Sequence, residues 1–302
     1  MTPGVDATHV LIDGPWRHRF VAANGARFHV AEAGEGPLVV LLHGFPQHWW
    51  CWRDQLTGLA DAGYRVAAMD LRGYGASDKP PRGYDTPTLA ADVAAVVRSL
   101  GEPAATIVGH DWGAFIAWAM PALEPAVTRA IAPISMAHPL RLRTAMLTSP
   151  AQIRASTHVL EYQQPWRPER QLVRDGEVER LLRRWGGPGW PADPEVVATY
   201  AAAIRVPFVA HSALEYFRWA VRSQVRADGR AFFDAVERPI TVPVLQLHGA
   251  LDPCILPATA EGSARWVEGP LRSVVVEGAG HYLPEERPDV VTGHLLDWLA
   301  GI

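Results

Sequence analysis

One carboxylate in the sequence lies in a setting that suits chemistry. Asp111 follows the apolar run 105–108, which predicts a buried strand, and precedes the apolar-rich segment 114–123, which predicts a helix. Gly109 and Gly113 lie two residues to either side of it, where a sharp strand-to-helix turn brings backbone segments close together. Such a turn would hold the carboxylate exposed at the end of the strand. Taken alone, the pattern fits a nucleophilic carboxylate and also fits a helix N-cap.

Two further residues are the partners that a carboxylate nucleophile needs. Asp252 follows the strand predicted over 242–248, and His281 follows the strand predicted over 273–276. All three residues therefore lie in loops at strand ends, in the chain order nucleophile, acid, histidine. An imidazole oriented by a carboxylate can act as a general base. The sequence therefore predicts a catalytic triad.

The elements that must position these residues alternate between strand and helix in two blocks of the chain. A hairpin is predicted over 16–32, and alternating strands and helices over 37–136 predict a parallel sheet covered by helices. Residues 138–238 lack strand-like runs and carry helical patterns, after which the alternation returns. We therefore predict a core domain over 1–137 and 239–302, and a helical cap over 138–238 above the carboxyl end of the sheet.

The predicted helices include 47–63, which carries three tryptophans and is expected to pack on the sheet. They also include 152–162 in the cap and 257–266 in the second block of alternation.

Composition and charge narrow the classes of function. The chain has 302 residues, of which 48% are hydrophobic and 20% charged, as in an ordinary globular protein. A net charge of −4 speaks against nucleic acid or an anionic membrane as partner. No apolar run approaches a membrane span and residues 1–14 lack a signal-peptide pattern, so we expect a cytoplasmic protein. Cys51 and Cys254 fit no metal or C-x-x-C pattern and are expected to be free thiols.

Five segments, spread over nearly the whole chain, resemble the epoxide hydrolases of the α/β-hydrolase fold. They are HGFP (43–46), DLRGYGAS (70–77), GHDWG (109–113), the loop with Asp252, and GAGH (278–281). The resemblance implies an α/β fold with a mostly parallel eight-stranded sheet, helices on both faces and an inserted helical cap. Haloalkane and fluoroacetate dehalogenases share this fold and an aspartate nucleophile, so the segments specify the superfamily more closely than the reaction.

An aspartate nucleophile changes the chemistry that such a triad supports. A carboxylate that attacks a saturated carbon forms an ester, which activated water can cleave, whereas a serine would leave an ether. The implied substrates are therefore epoxides or alkyl halides. An epoxide would be converted to a vicinal diol. The reaction needs no metal, nucleotide or flavin, the sequence carries no pattern for one, and we expect no cofactor.

The resemblance also implies an oxyanion hole in the ester-hydrolysis step. Its two donors would be the backbone amides of Phe45, in HGFP, and Trp112, directly after the nucleophile. A small apolar epoxide and water are the implied reactants, and a homodimer is compatible with the resemblance.

An epoxide opener also needs a proton donor in the cap, usually a pair of tyrosines in this family. Tyr162 resembles the first of them, and Tyr216 lies next to the position of the second, which Phe217 occupies here. Adjacent helical residues point about 100° apart, so Tyr216 would not point in the direction of Phe217. Tyr200 and His211 are therefore further candidates for the second donor.

Two other functions fit the same residues. A haloalkane or haloacid dehalogenase would use Trp112 to bind halide. However, haloalkane dehalogenases tend to carry a polar residue where this chain has Phe45, and fluoroacetate dehalogenases usually carry arginine after the nucleophile. A non-catalytic ligand-binding homologue would carry the same triad.

Overall fold

The computed structural model describes residues 5–191 and 193–302. Residues 1–4 of the predicted core and residue 192 of the predicted cap lie outside the described residues.

An eight-stranded sheet, in the order β1-β2-β4-β3-β5-β6-β7-β8, forms the centre of the molecule. β1 and β2 form the predicted antiparallel hairpin, β2 is antiparallel to β4, and all other neighbours are parallel. The strands are β1 (Arg17–Ala23), β2 (Ala26–Ala33), β3 (Leu38–Leu42), β4 (Arg65–Met69), β5 (Ala105–His110), β6 (Thr128–Ile134), β7 (Val244–Gly249) and β8 (Leu271–Val276).

Helices cover both faces of this sheet. Successive strand residues point to opposite faces, and every residue of β3 and of β5 is buried. Among the helices, α1 packs against α14, and α2 against α3. They are α1 (Arg53–Asp61), α2 (Thr86–Ser99), α3 (Trp112–Leu123), α4 (Pro139–Thr148), α5 (Pro150–Ala155), α6 (Thr157–Glu161), α7 (Arg167–Leu172), α8 (Glu177–Trp185), α9 (Pro194–Arg205), α10 (Val209–Arg222), α11 (Ala227–Ala235), α12 (Pro257–Glu261), α13 (Leu283–Glu286) and α14 (Pro288–Leu299).

The helix predicted over 47–63 begins later than expected. Trp49–Trp52 is a 3₁₀ helix, and α1 starts at Arg53. The backbone of His48 is extended, with a φ of −142° and a ψ of −173°, so no helix can run through this residue. His48 instead caps the 3₁₀ helix, since its Nδ1 accepts from Trp50 N–H at 3.1 Å, and Asp70 Oδ1 accepts from Trp49 N–H at 3.1 Å.

Two other predicted helices are interrupted. The segment 152–162 divides at Ser156 into α5 and α6, and the segment 257–266 changes after Glu261 to a 3₁₀ helix. The second break falls at Gly262, a residue with low helix propensity. At the break after α5, the side chain of Gln152 donates to Ser156 Oγ at 3.0 Å and to the Cys254 carbonyl at 2.8 Å. These two bonds fix Ser156 and α5 to the loop after β7.

The insertion lies between β6 and β7. Over the described residues from Ser135 to Pro243, the chain forms the eight helices α4–α11 and contributes no strand to the sheet. Because β6 is parallel to its neighbours, the insertion leaves the sheet at its carboxyl edge. On this topology we propose that residues 138–238 form a cap on a core of residues 1–137 and 239–302.

Within 5–191 and 193–302, no single helix is long and apolar enough to cross a membrane. The bent pair α9 and α10, which meet at 84°, reaches the required length and composition when the two are taken together.

Candidate active site

Asp111 occupies a sharp turn between β5, which ends at His110, and α3, which begins at Trp112. Its backbone has a φ of 50° and a ψ of −116°, a conformation that non-glycine residues rarely adopt and that is typical of functional sites. The flanking glycines are required by space. A Cβ added to Gly109 would lie 2.2 Å from the Gly113 carbonyl oxygen, and one added to Gly113 would lie 2.1 Å from the Leu42 carbonyl oxygen.

The loop after β3 supplies the first partner of the Asp111 carboxylate. The N–H of Phe45 donates to Asp111 Oδ2 at 2.8 Å. This approach requires glycine at position 44, because an added Cβ would lie 2.4 Å from Asp111 Cβ and 2.6 Å from Oδ2. The N–H of Trp112 is the first in α3 and so has no acceptor within the helix.

The loops after β7 and β8 supply the other two members of the triad. His281 Nδ1 donates to Asp252 Oδ2 at 2.9 Å, and His281 Nε2 lies 3.5 Å from Asp111 Oδ1. The second oxygen of Asp252 accepts from the N–H groups of Cys254 at 2.8 Å and Ile255 at 3.0 Å. All three triad residues are buried. The structure thus brings together the three residues that the sequence singled out.

The charges of the triad depend on one another. Burial by itself would lower the pKa of His281, but the Asp252 and Asp111 carboxylates on its two sides raise that pKa to about 10. Burial by itself would raise the pKa of Asp111, and the hydrogen bond and charge of His281 instead hold it below its usual value. The resting site therefore contains an imidazolium between two carboxylates.

Asp111 faces a cavity of about 200 Å³ between the core and the insertion. The lining is mostly apolar, and it includes Trp112 and Phe115 from α3 and His158 and Phe217 from the insertion. The indole Nε1 of Trp112 is buried and has no hydrogen-bond partner among the described residues. This cavity adjoins the nucleophile and can admit a substrate.

His158 is a polar residue of the cavity wall that the sequence did not single out. Its ring lies between Trp185 and Tyr162, at centroid distances of 4.8 and 5.8 Å. Burial lowers its pKa to about 4, although the Asp111 charge opposes this, so the imidazole is neutral at pH 7. Its Nδ1 is buried without a partner in the described part of the chain.

Tyr162 lies beside the cavity, and it is not among the residues that line it. Its ring packs edge-on against Phe45 and Phe217, at centroid distances of 5.8 and 5.0 Å. Its hydroxyl makes no hydrogen bond to any residue of 5–191 or 193–302, and burial raises its pKa well above the usual value. Arg218 fixes this segment by donating to the carbonyls of Tyr162, at 3.2 Å, and Gln164, at 3.0 Å.

The structure does not place Tyr216 in the site, which corrects the prediction made for its hydroxyl. The hydroxyl donates to the backbone carbonyl of Arg72 at 2.7 Å, and Tyr216 does not line the cavity. The physical reason is the rotation of about 100° between adjacent helical residues, which turns Phe217 toward the cavity instead.

The two substitutes considered for Tyr216 also lie elsewhere. The Tyr200 hydroxyl donates to Glu285 Oε1 at 2.8 Å. The His211 side chain is 54% exposed, and its Nδ1 lies 3.2 Å from Glu169. Neither lines the cavity.

Sequence reasoning also missed Glu286, which lies five residues after His281 and accepts from the amides of Gly280 and Tyr282. The sequence signal is a pair of acids that comes after His281 and Tyr282-Leu283-Pro284, a pattern that is more typical of a solvated surface. Among the described residues no group of three or more His, Cys, Asp or Glu could hold a metal ion, and Cys51 and Cys254 are both free and buried.

Comparison with known proteins agrees with this geometry. Residues 37–288 match the family model described as the alpha/beta hydrolase fold, and this range contains the whole triad. The chain belongs to the α/β-hydrolase family. It is 32% identical to Epoxide hydrolase A of Mycobacterium tuberculosis, over 94% of this chain and 97% of that protein.

Two other members of the α/β-hydrolase family are equally similar over most of their length. The AB hydrolase superfamily protein YfhM of Bacillus subtilis is 33% identical, over 94% of this chain and 98% of its own. A solved epoxide hydrolase from an endophytic Streptomyces superposes with a TM-score of 0.81 at 32% identity, covering 96% of each chain. The match therefore includes both the sheet and the insertion.

The contact between Gly44 and Asp111 predicts a specific loss of stability. Gly44→Ala should lower the free energy of unfolding by about 1–3 kcal/mol, because its Cβ overlaps the Asp111 side chain. Gly293→Ala is the matched control, since Gly293 is an exposed residue of helix α14, where an added Cβ meets nothing within 4 Å and should stabilise by up to about 1 kcal/mol. Urea denaturation measures both, and equal effects would contradict the account.

The raised pKa of His281 predicts a pH-dependent stability. The proton on His281 is held in the folded state up to a pKa of about 10, against 6.5 for an ordinary histidine. Its stabilisation is therefore complete below pH 6.5 and is lost as the pH rises toward 10, at up to about 1.4 kcal/mol per pH unit. Asp252→Asn removes one of the two carboxylates and lowers that pKa.

The measurement is the free energy of unfolding of both proteins between pH 6 and pH 10. We expect the wild-type advantage over Asp252→Asn to shrink as the pH rises through this range. A constant difference would show that His281 is not protonated in the folded protein.

Proposed function

We propose that this α/β-hydrolase is an epoxide hydrolase that forms an ester between Asp111 and its substrate. The observation that carries the proposal is a buried carboxylate, bound by the Phe45 amide on one oxygen and 3.5 Å from an imidazole on the other, facing an apolar cavity. Relatives that are named epoxide hydrolases match nearly the full chain at about 32% identity, which supports this reaction.

In the first step Asp111 Oδ1 attacks a ring carbon of the epoxide. Oδ2 is already bound to the Phe45 amide, so Oδ1, on the side of His281, is the oxygen that forms the new bond. The carbon–oxygen bond of the epoxide breaks, and the ring oxygen leaves as an alkoxide that takes a proton. The product of this step is an alkyl ester of Asp111.

In the second step water cleaves the ester. Ester formation removes the negative charge of Asp111, which is one of the two charges that raise the pKa of His281. His281 then loses its Nε2 proton to solvent more readily, and the neutral imidazole takes a proton from water while Asp252 holds its Nδ1–H. The hydroxide adds to the carboxyl carbon of Asp111, and the Phe45 and Trp112 amides stabilise the oxyanion. The bond between that carbon and the substrate oxygen then breaks, the departing oxygen takes the proton back from His281, and the diol leaves with the Asp111 carboxylate restored.

Tyr162 is the proton donor that we propose for the first step. Its hydroxyl is not engaged within the described chain, and its raised pKa keeps the proton on the oxygen at neutral pH. The ring contacts Phe45, whose amide holds the nucleophile. Neutral His158 is the competing donor, because it lines the cavity directly.

The cavity favours a small apolar substrate. Its volume of about 200 Å³ and its largely aliphatic and aromatic wall suit an uncharged epoxide of modest size, with water as the second reactant. The homodimer and the cytoplasmic location expected from the sequence remain predictions.

One observation favours a dehalogenase as the second candidate. The buried Nε1–H of Trp112 lines the cavity without an acceptor in the described residues, and an indole N–H in that position can bind a departing halide. Such an enzyme would release chloride from 1-chlorobutane or fluoride from fluoroacetate and would leave styrene oxide unchanged.

Replacing the general base should trap the ester. In His281→Gln the first step remains possible, since Asp111 keeps its Phe45 contact, whereas no base activates water for the second step. Intact-protein mass spectrometry after mixing with styrene oxide should show an adduct of one substrate mass on the peptide that contains Asp111.

Asp111→Ala is the control for this experiment and should form no adduct and turn over no substrate. A folded His281→Gln protein that binds the epoxide and stays unmodified would contradict the two-step mechanism.

Removing the proposed donor should slow epoxide opening selectively. Tyr162→Phe deletes one hydroxyl in a site of unchanged shape, and losing a general acid costs about 10²–10⁴-fold in rate. Any slow turnover of 1-chlorobutane should barely change, because halide leaves without a proton. Stopped-flow or product assays with both substrates measure the two rates.

Tyr216→Phe is the matched control, because its hydroxyl is bonded to the Arg72 carbonyl and it should affect turnover less. If Tyr162→Phe retains the wild-type rate and His158→Gln loses it, the imidazole is the donor. If neither substitution matters and chloride is released quickly, the dehalogenase is the correct function.

A further inference from the structure

A second buried carboxylate lies directly behind the histidine loop. Glu286 ends the short helix α13 and accepts three backbone N–H groups. Its Oε2 accepts from Gly280 at 2.6 Å and from Gly187 at 2.9 Å, and its Oε1 accepts from Tyr282 at 2.9 Å. Burial raises the pKa of Glu286, and the three N–H donors oppose this shift because they favour the ionised carboxylate.

Two of these donors belong to Gly280 and Tyr282, the residues on either side of His281. The other backbone groups of His281 are also bound: its N–H donates to the Trp185 carbonyl at 2.9 Å, and its carbonyl accepts from His110 Nε2 at 2.7 Å. The main chain from which the imidazole projects is therefore held from every side. The imidazole is joined to this main chain by only two rotatable bonds, and its Nδ1 is held by Asp252. The position of the main chain therefore determines where Nε2 lies.

The same carboxylate ties the insertion to the histidine loop. Gly187 follows α8, which ends at Trp185, so the Gly187 amide and the Trp185 carbonyl both come from the predicted cap. Any shift of this part of the insertion would move Glu286 and the His281 backbone together.

Glu285, the preceding residue, has a different set of partners. It accepts from Tyr200, at 2.8 Å, and also from Gln47 and Arg53, and among the described residues none of these three side chains makes a hydrogen bond to residues 278–282. Glu285 and Glu286 are thus adjacent buried acids of the same short helix, and only the Glu286 side chain binds the amides of Gly280 and Tyr282.

We propose that Glu286 is the positioning residue for the general base, and that it couples the placement of the insertion to hydrolysis of the ester. The proposal rests on the ester mechanism put forward above for Asp111. Alkylation by Asp111 uses the Phe45 amide and the proton donor, whereas ester hydrolysis requires His281 Nε2 to meet water at the right point. The second half-reaction should therefore depend on Glu286 far more than the first.

The test compares Glu286→Gln with its neighbour Glu285→Gln. Glutamine has one acceptor oxygen and one NH₂ donor, so in Glu286→Gln the NH₂ faces backbone N–H groups and the histidine loop must shift. Rapid-quench mixing with styrene oxide, followed by intact-protein mass spectrometry, gives the rates of ester formation and ester loss separately.

For Glu286→Gln we expect ester loss to slow by about 10- to 100-fold, as for a misplaced catalytic group, with ester formation changed by less than about threefold. The ester should accumulate in this variant. In Glu285→Gln the ratio of the two rates should match the wild type, and Glu286→Asp, which keeps the charge, should recover part of the loss. Equal slowing of both steps in folded Glu286→Gln would overturn the proposal.

A second measurement does not depend on turnover. The proton on His281 Nδ1, held by Asp252 at 2.9 Å, should give a far-downfield proton NMR resonance. We expect it to shift or broaden in Glu286→Gln, or in Glu286→Asp if the glutamine variant does not fold, and to stay in place in Glu285→Gln. An unmoved resonance would overturn the proposal. If the wild type forms no ester, the ester mechanism fails, while this resonance still decides the role of Glu286.

Discussion

The site depends on keeping one carboxylate charged while it is buried. Asp111 is 7% exposed, and an ionised group at that depth requires compensation from its neighbours. The Phe45 amide binds one oxygen at 2.8 Å and the His281 imidazole lies 3.5 Å from the other. Because Gly44 and Gly113 have no Cβ, the loop after β3 and the start of α3 can pack this closely around Asp111. The sheet serves to bring four loops to a single point at its carboxyl edge.

The same compensation connects the two halves of the proposed reaction. With Asp111 ionised, the imidazole of His281 lies between two negative charges and keeps its proton. When an ester forms, one of those charges disappears, and the remaining environment of burial plus Asp252 holds the proton less strongly. The charge of Asp111 thus keeps His281 protonated until the ester has formed, and His281 can act as a base only afterwards.

The core of the site could be predicted from the sequence, because it depends on local patterns. Asp111, Asp252 and His281 each follow a recognisable strand, and parallel strands bring their carboxyl ends to one edge of a sheet. The insertion was recognisable in the same way, from the loss of strand patterns. The start of α1 was not, because it depends on the extended backbone of His48, which no sequence pattern indicates.

The contribution of the insertion could not be predicted from local patterns. Whether Tyr216 or Phe217 faces the cavity depends on the rotation of α10 against the core, which tertiary packing decides. His158 is a polar residue in a broken helix, and its place in the cavity wall comes from contacts with Trp185 and Cys254 that are distant in sequence. Glu286 acts on backbone amides, and its partner Gly187 is 99 residues away.

The most direct test of the central claim follows the oxygen atoms through one turnover in ¹⁸O-labelled water, with enzyme in excess over styrene oxide. If Asp111 forms an ester that water attacks at the carboxyl carbon, the first diol carries the unlabelled oxygen of Asp111. The label then appears in the peptide that contains Asp111, as a gain of about two mass units in its spectrum. If the label appears in the first diol and the peptide stays unlabelled, water opens the epoxide directly and Asp111 is not the nucleophile.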